Sequence, residues 1–155
     1  GRRSGIEWAN YFSPWPWLTF DADLSLSRAR FTDDDPAGGH IPGAVETVVT
    51  AGATVTSLRN VFGSVRWRYF GPRPLVEDNS VRSKAASLVN LEGGYRFTKQ
   101  LRLAVDVFNL FDSKDSDIEY FYRSRLPGEP LGGVEDIHFH PTLKRTIRAS
   151  LIVGL

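Results

Sequence analysis

Leu101-Arg102-Leu103-Ala104-Val105-Asp106-Val107 and the closing run at 144–155, Lys-Arg-Thr-Ile-Arg-Ala-Ser-Leu-Ile-Val-Gly-Leu, decide the fold. In both, apolar residues return at every second position: Leu101, Leu103, Val105 and Val107, then Ile147, Ala149, Leu151, Val153 and Leu155. Arg102, Asp106, Thr146, Arg148 and Ser150 stand between them. A period of two belongs to a β-strand with one apolar and one polar face, whereas a helix would repeat every three or four residues. Between the two runs, Asn109-Leu110-Phe111-Asp112 opens a long polar and aromatic excursion.

The same period recurs upstream. The run at 17–31 is the cleanest: Leu18, Phe20, Ala22, Leu24 and Leu26 alternate with Thr19, Asp21, Asp23, Ser25 and Ser27. Further strands are expected at 4–12, 44–57, 62–70 and 84–97, that at 44–57 being rich in Val and Thr. Pro14 and Pro16 deny ladder donors and predict a turn at 13–16. The count is about seven strands, several of them reaching the roughly 9 to 11 residues that a tilted membrane strand needs.

Connections alternate in length. Short ones are expected near 13–16, 58–61 and 98–100, and long ones over 32–43, 71–83 and 112–142. In an up-and-down meander all short turns then lie at one end and all long loops at the other, as in outer-membrane barrels. Trp15, Trp17, Tyr95 and Phe97 flank short turns, where an interfacial aromatic girdle would sit. The fold class is therefore all-β, an antiparallel up-and-down transmembrane β-barrel segment. An up-and-down barrel that closes on itself takes an even number of strands, so an odd count means either a further strand, with 118–124 the candidate, or an arc of a larger barrel. A complete small outer-membrane barrel acting as a pore or adhesion module is the alternative. A soluble lipid- or ligand-binding β-barrel is another, since it shares the alternation.

Composition narrows the function classes. Nineteen Lys and Arg against 18 Asp and Glu give a net charge of +1, which removes the bulk electrostatic case for nucleic acid. No cysteine is present, so disulfides, thiol catalysis and thiolate metal sites are excluded. No methionine is present either, even at position 1, as expected of a processed product or a piece of a longer chain, and Gly1-Arg2-Arg3 does not read as a signal peptide. No strand leads into a G-x-G-x-x-G or Walker pattern, and no nucleophile–base arrangement stands out, so no enzyme and no cofactor is expected.

Asn109-Leu110-Phe111-Asp112 resembles a signature near the end of TonB-dependent outer-membrane receptors. His140-Pro141, followed by Lys144-Arg145-Thr146 and an alternating strand, resembles the family's last strand. The run at 117–130 is similar to the last extracellular loop of one subgroup, as is Tyr69-Phe70-Gly71-Pro72-Arg73-Pro74-Leu75 with Glu77-Asp78-Asn79-Ser80. Gly5-Ile6-Glu7, Trp17-Leu18 and His40-Ile41-Pro42-Gly43-Ala44 also fit, so the resemblance spans the chain.

The resemblance implies a barrel of about 22 antiparallel strands around a separate N-terminal plug, of which this chain supplies roughly the last seven. Residues 1–155 then form the C-terminal part of the barrel, with the plug domain absent. It further implies an outer-membrane location in a Gram-negative cell and energy-coupled uptake of a scarce ligand such as a ferric siderophore. The implied partners are membrane lipid and lipopolysaccharide, the plug, TonB and that ligand. The chain departs from the family in closing on Leu155, where an aromatic residue is usual.

Three clusters are weighed for chemistry. The polar face carries Asp21, Asp23, Arg66, Arg68, Glu92, Arg96, Arg102, Asp106 and Arg148, read as ion pairs of a wet lumen or as grips on a plug or ligand. His138 and His140, leading into the terminal strand, and Asp33-Asp34-Asp35 lack the three or four convergent donors of a metal site, so no metal is expected. The candidates for ligand contact are Arg73, Arg82, Tyr120, Tyr122, Arg123 and Arg125, because arginine and tyrosine offer charge, hydrogen bonds and stacking surfaces to an anionic or catecholate ligand.

Overall fold

The computed structural model describes residues 1–154, and Leu155 lies outside the described residues. Nine strands occur in the order β1 (Arg2–Trp15), β2 (Leu18–Arg30), β3 (Thr47–Leu58), β4 (Val61–Phe70), β5 (Ala86–Arg96), β6 (Leu101–Phe108), β7 (Ser116–Ser124), β8 (Val134–Pro141) and β9 (Thr146–Val153). Seven of them form one antiparallel sheet, ordered β1-β2-β3-β4-β5-β6-β9, and β7-β8 make a separate two-stranded hairpin. Among the described residues β1 and β9 do not pair with each other, so the sheet is an open arc.

The register turns the alternation of each strand into two continuous faces. On one face Phe20 lies opposite Phe12 and Ala53, Ala53 opposite Val65, Val65 opposite Leu91, Leu91 opposite Val107, and Val107 opposite Ile147. On the other, Asp21, Gly52, Arg66 and Asn90 follow one another across four strands, and Glu92, Asp106 and Arg148 continue the polar row. A slip of one residue in any pair would have mixed the faces. Leu18, Leu24, Leu26, Trp67, Val89, Leu101, Leu103, Val105, Leu151 and Val153 fall on the same side as Phe20, Val65, Leu91 and Ile147.

Packing against protein does little for that side. Among the described residues the buried apolar side chains are Ala29, Pro74, Leu75, Ala86 and Ala104, whereas Ile6 is 72% exposed, Phe12 61% and Leu151 65%. A water-soluble barrel buries its apolar face; this sheet presents it outward across its whole width, which is the geometry of a wall meant for lipid. The ladder satisfies the backbone between neighbouring strands, leaving the outer edges of β1 and β9.

Turns separate by length as expected. Residues 16–17, 59–60 and 97–100 connect strands at one end, and 31–46, 71–85 and 109–145 at the other. Arg59 adopts φ 60°, which the two-residue turn requires. At 97–100 the Thr98 hydroxyl oxygen accepts the N–H groups of Gln100 and Leu101 at 3.1 and 3.0 Å. Trp15 and Trp17 stack with ring centroids 5.4 Å apart, and Tyr95 meets Phe97 edge-on at 5.1 Å, so the aromatics of the short-turn end form pairs.

Three expectations need correction. β1 does not stop at Phe12: pairing resumes at Trp15 opposite Leu18, because a register shift absorbs Ser13 and Pro14, and a bulge is where a sheet tolerates proline. The excursion after Asp112 contains two strands; the one considered at 118–124 exists as β7, but it pairs with β8 rather than joining the wall. His138 and His140 accordingly lie on β8 in the hairpin, and the terminal strand β9 begins only at Thr146.

Candidate ligand-facing site

The polar face is tied by ion pairs that reach across the sheet. Arg66 donates to both carboxylate oxygens of Asp21, at 2.8 and 3.1 Å, although β3 runs between their strands. Arg148 grips Asp106 through Nε and Nη2 at 3.0 and 2.9 Å and also covers the ring of Phe108. Thr50 donates to Asp23 at 3.0 Å, and Arg96 lies over the ring of Phe62 while donating to the carbonyl of Thr56 at 2.8 Å. Arg68 and Arg102 make no ion pair with any described residue. Two of the four carboxylates of this face, Asp21 and Asp106, are thus neutralised by arginine, while Arg68 and Arg102 keep free guanidinium groups.

Above the polar face, two of the long loops lock together. His40 N–H donates to the Glu77 carbonyl at 2.9 Å and Gly43 N–H to the Pro74 carbonyl at 2.8 Å, joining 31–46 to 71–85. Pro74 is fully buried at this junction and Leu75 is 5% exposed. Gly38, at φ 124°, packs so closely on the Glu77 backbone that no other residue fits. Arg82 completes the knot by pairing with Glu46 and donating to Asn79 and the Pro72 carbonyl. In the same loop Asp78 accepts both the hydroxyl and the N–H of Ser80, at 2.7 and 2.9 Å, which holds its carboxyl below the usual carboxylate range.

The third long connection carries the hairpin. Its root is the Asn109 side chain, 5% exposed, which donates to the carbonyls of Ser113 and Leu143 at 2.9 Å each and accepts Ser113 N–H at 2.8 Å. Asp112 adds a bond from Arg145 N–H at 2.8 Å. Asn109 and Asp112 both have positive φ, 50° and 52°, a conformation in which Asn and Asp are the least strained side-chain-bearing residues. β6 can therefore leave the wall, and β9 re-enter beside it, with the excursion between them pinched at its base.

Within the hairpin the register divides the candidates. Tyr120 lies opposite His138 and Tyr122 opposite Asp136, so the two tyrosines and His138 share a face. Tyr122 stacks on the His138 ring at 3.9 Å, and the tyrosines remain 58% and 51% exposed. Arg123 is on the other face, paired with Glu135 at 3.0 Å, and Arg125 donates to the Glu129 carbonyl at 3.2 Å in the tip. Glu119, 6% exposed, turns toward the sheet and accepts Lys84 N–H at 3.0 Å. Beside it is a cavity of about 70 Å³ lined by Arg68, Arg73, Lys84, Asp117 and Glu119.

Of the six sequence candidates, Tyr120 and Tyr122 come together on one open face, and Arg73 joins Arg68 at the cavity below. Arg82, Arg123 and Arg125 are each engaged by a neighbouring loop or strand group. His138, stacked against Tyr122, was set aside with the metal question. It lies two positions after Asp136, the cross-strand neighbour of Tyr122, so its stack on Tyr122 could not be placed without knowing that β8 exists.

Seven strands with one face apolar throughout and the other charged, short turns at one end and long knotted loops at the other, define the wall of a transmembrane β-barrel. Residues 1–110 match the family model described as TonB dependent receptor-like, beta-barrel. The chain belongs to the TonB-dependent receptor family, whose members are outer-membrane proteins and transporters. Among solved structures it is similar to the ferric yersiniabactin uptake receptor FyuA from Yersinia pestis, with a TM-score of 0.78 and 18% identity over 97% of this chain and 23% of that one. The ferric-catecholate import receptor Fiu from E. coli K12 matches with a TM-score of 0.72 and 18% identity, over 96% of this chain and 20% of that one. For the copper transporter OprC the values are 0.70, 18%, 97% and 24%. The chain thus spans less than a quarter of these proteins' length. No curated protein sequence matches it.

Proposed function

We propose that this chain is the C-terminal part of the barrel of a TonB-dependent outer-membrane receptor, and that the whole receptor takes up a scarce ligand such as a ferric siderophore. Uptake is coupled to the inner-membrane proton gradient through a plug domain and TonB. The observation that carries the ligand-facing role is the β7–β8 hairpin. It stands outside the wall at the long-loop end and holds Tyr120 and Tyr122 open on one face, with His138 stacked behind. Aromatic faces with hydroxyl donors suit a planar catecholate-type complex, and the unpaired Arg68 and the neighbouring Arg73 at the cavity below supply the positive charge that draws an anion inward.

Family membership and neighbours that include a ferric yersiniabactin and a ferric-catecholate receptor support the siderophore reading. The test is uptake of a radiolabelled ferric catecholate by cells carrying the full receptor, against the Tyr120→Ala/Tyr122→Ala variant. Expected are proton-gradient-dependent uptake and at least a tenfold weaker apparent affinity in the variant. Equal affinity would remove the hairpin face from the ligand path; uptake indifferent to the gradient would overturn energy coupling.

A further inference from the structure

The two edges of β5 are covered unequally. The strand pairs with β4 from Ala86 to Tyr95 but with β6 only from Leu91 to Arg96, because β6 ends at Phe108 and the chain leaves the wall. The excursion that follows closes the bare upper edge. Leu110 N–H donates to the Val89 carbonyl at 2.8 Å, Ser87 N–H to the Asp115 carboxylate at 2.6 Å and Lys84 N–H to the Glu119 carboxylate at 3.0 Å. Two side-chain carboxylates thus stand in for a missing strand, whose absence would leave backbone donors open.

These contacts differ in what they hold. Leu110 and Asp115 belong to the root of the excursion, which Asn109, Asp112 and Thr142 also fasten. Glu119 lies on β7 itself. Among the described residues, its bond to Lys84 is the only hydrogen bond from β7 or β8 to any residue outside 109–145. Packing does not duplicate it. Glu119 lines a cavity of about 350 Å³ together with Lys114, Ile137 and Phe139, and another of about 70 Å³ together with Arg68 and Arg73, where a close-packed contact would leave neither. Although these cations line the same cavities, Glu119 forms no ion pair with any described residue. What it supplies is an acceptor at a fixed place.

Successive residues of a strand point to opposite faces, so holding Glu119 toward the wall turns Tyr120 and Tyr122 away from it. We propose that Glu119 is the positioning residue of the β7–β8 hairpin, and that its bond to Lys84 N–H sets the direction in which Tyr120 and Tyr122 meet a ligand. The ligand-facing part rests on the uptake reading above; the latch on β5 does not.

The experiment uses the full receptor in lipid vesicles, spin-labelled at Val134→Cys on β8 and Ser57→Cys on the wall. Wild type, Glu119→Ala and Glu119→Gln are compared, since glutamine keeps an oxygen for Lys84 N–H and alanine does not. Without ligand, wild type and Glu119→Gln should give one narrow distance distribution and Glu119→Ala a broad one. Apparent affinity for a ferric catecholate should fall about tenfold in Glu119→Ala at an unchanged maximal uptake rate, because fewer molecules hold the binding direction, and Glu119→Gln should restore it. A narrow distribution in Glu119→Ala would overturn the latch, as would a Glu119→Gln variant as broad as Glu119→Ala, which would assign the effect to charge. Unchanged affinity in Glu119→Ala, beside a loss in Tyr120→Ala/Tyr122→Ala, would overturn the positioning role. If the tyrosine variant itself kept full affinity, the uptake reading would fall, and the ligand-free distances would still decide the latch.

Discussion

Asp21 and Arg66 form a two-pronged ion pair, at 2.8 and 3.1 Å, across a strand that separates them, and Gly52 is the residue they bridge over. A Cβ on Gly52 would stand 2.8 Å from Asp21 Oδ1 and 3.2 Å from Arg66 Nη2. The bare backbone at 52 is what allows the two side chains to close above it. Asp21 is nearly buried by the contact while Arg66 keeps solvent access, with side-chain exposures of 7% and 44%.

Gly52→Val should therefore push the pair apart and leave the Asp21 carboxylate without its cation. With one partner half-exposed, the cost is smaller than for a fully buried pair, about 1 to 3 kcal/mol. Urea unfolding of the receptor in lipid vesicles measures it. In the Asp21→Asn background the valine should cost distinctly less, because there is no charge left to strand; an equal cost in both backgrounds would locate the strain in the backbone instead.

The facing assignment predicts unequal costs for substitutions on the two faces. Leu91 sits on the apolar face between Val65 and Val107, near the centre of the sheet, and Arg102 on the polar face opposite Ile152. Leu91→Arg should cost about 2 to 4 kcal/mol at mid-bilayer. Arg102→Leu, on the wet side, should stay within about 0.5 kcal/mol. Refolding into vesicles of increasing thickness checks both, since only the first should vary with depth.

Lipid is also why so much of the wall was legible in the sequence. A strand with hydrocarbon on one side and water on the other must alternate strictly, so β2 and β6 announce themselves by period alone. The hairpin stands free of that constraint. In β7, Phe121 interrupts Tyr120 and Tyr122 with a third aromatic on the other face, and in β8 Ile137 and Phe139 flank His138, so neither strand has a clean apolar side. The candidate site was legible as residue types but not as engagements. Arg82 and its partner Glu46 are 36 residues apart, and only the knot between loops brings them together. Pro14 misled for a local reason, because a bulge removes the donor requirement that would otherwise end the strand.

Asp78 provides a pH test of the loop knot. Its carboxyl is held below the usual range mainly by the Ser80 hydroxyl and then by the Ser80 N–H. A carboxyl with a depressed folded pKa contributes stability that is fully present above its unfolded value and is lost as pH falls through the folded one. The Ser80 amide should accordingly exchange hydrogen faster, relative to the intrinsic rate, only as the medium is acidified below the usual carboxylate range. Asp78→Asn should abolish that pH dependence. A Ser80 amide whose protection ignores acid would mean that the turn is held by its backbone alone.

Asn109 is where the wall and the hairpin are joined, and the two contributions it makes can be separated. Its side chain supplies three hydrogen bonds, to the carbonyls of Ser113 and Leu143 and from the N–H of Ser113, and its backbone occupies φ 50°. At about 0.5 to 1.5 kcal/mol for each net bond, Asn109→Gly should cost about 2 to 4 kcal/mol while relieving the backbone. Asn109→Ala loses the same bonds and adds about 1 kcal/mol for a side chain at positive φ. Leu143 is 34 residues from Asn109, so the bond to its carbonyl fastens the return of the chain into β9. Its loss should free the excursion at its base before the wall itself fails. Limited proteolysis should therefore nick both variants between 109 and 145 under conditions where β1 to β6 remain protected in vesicles. If the nicks instead appeared together with loss of the whole barrel, the pinch at Asn109 would be part of the wall's own stability rather than the anchor of the hairpin.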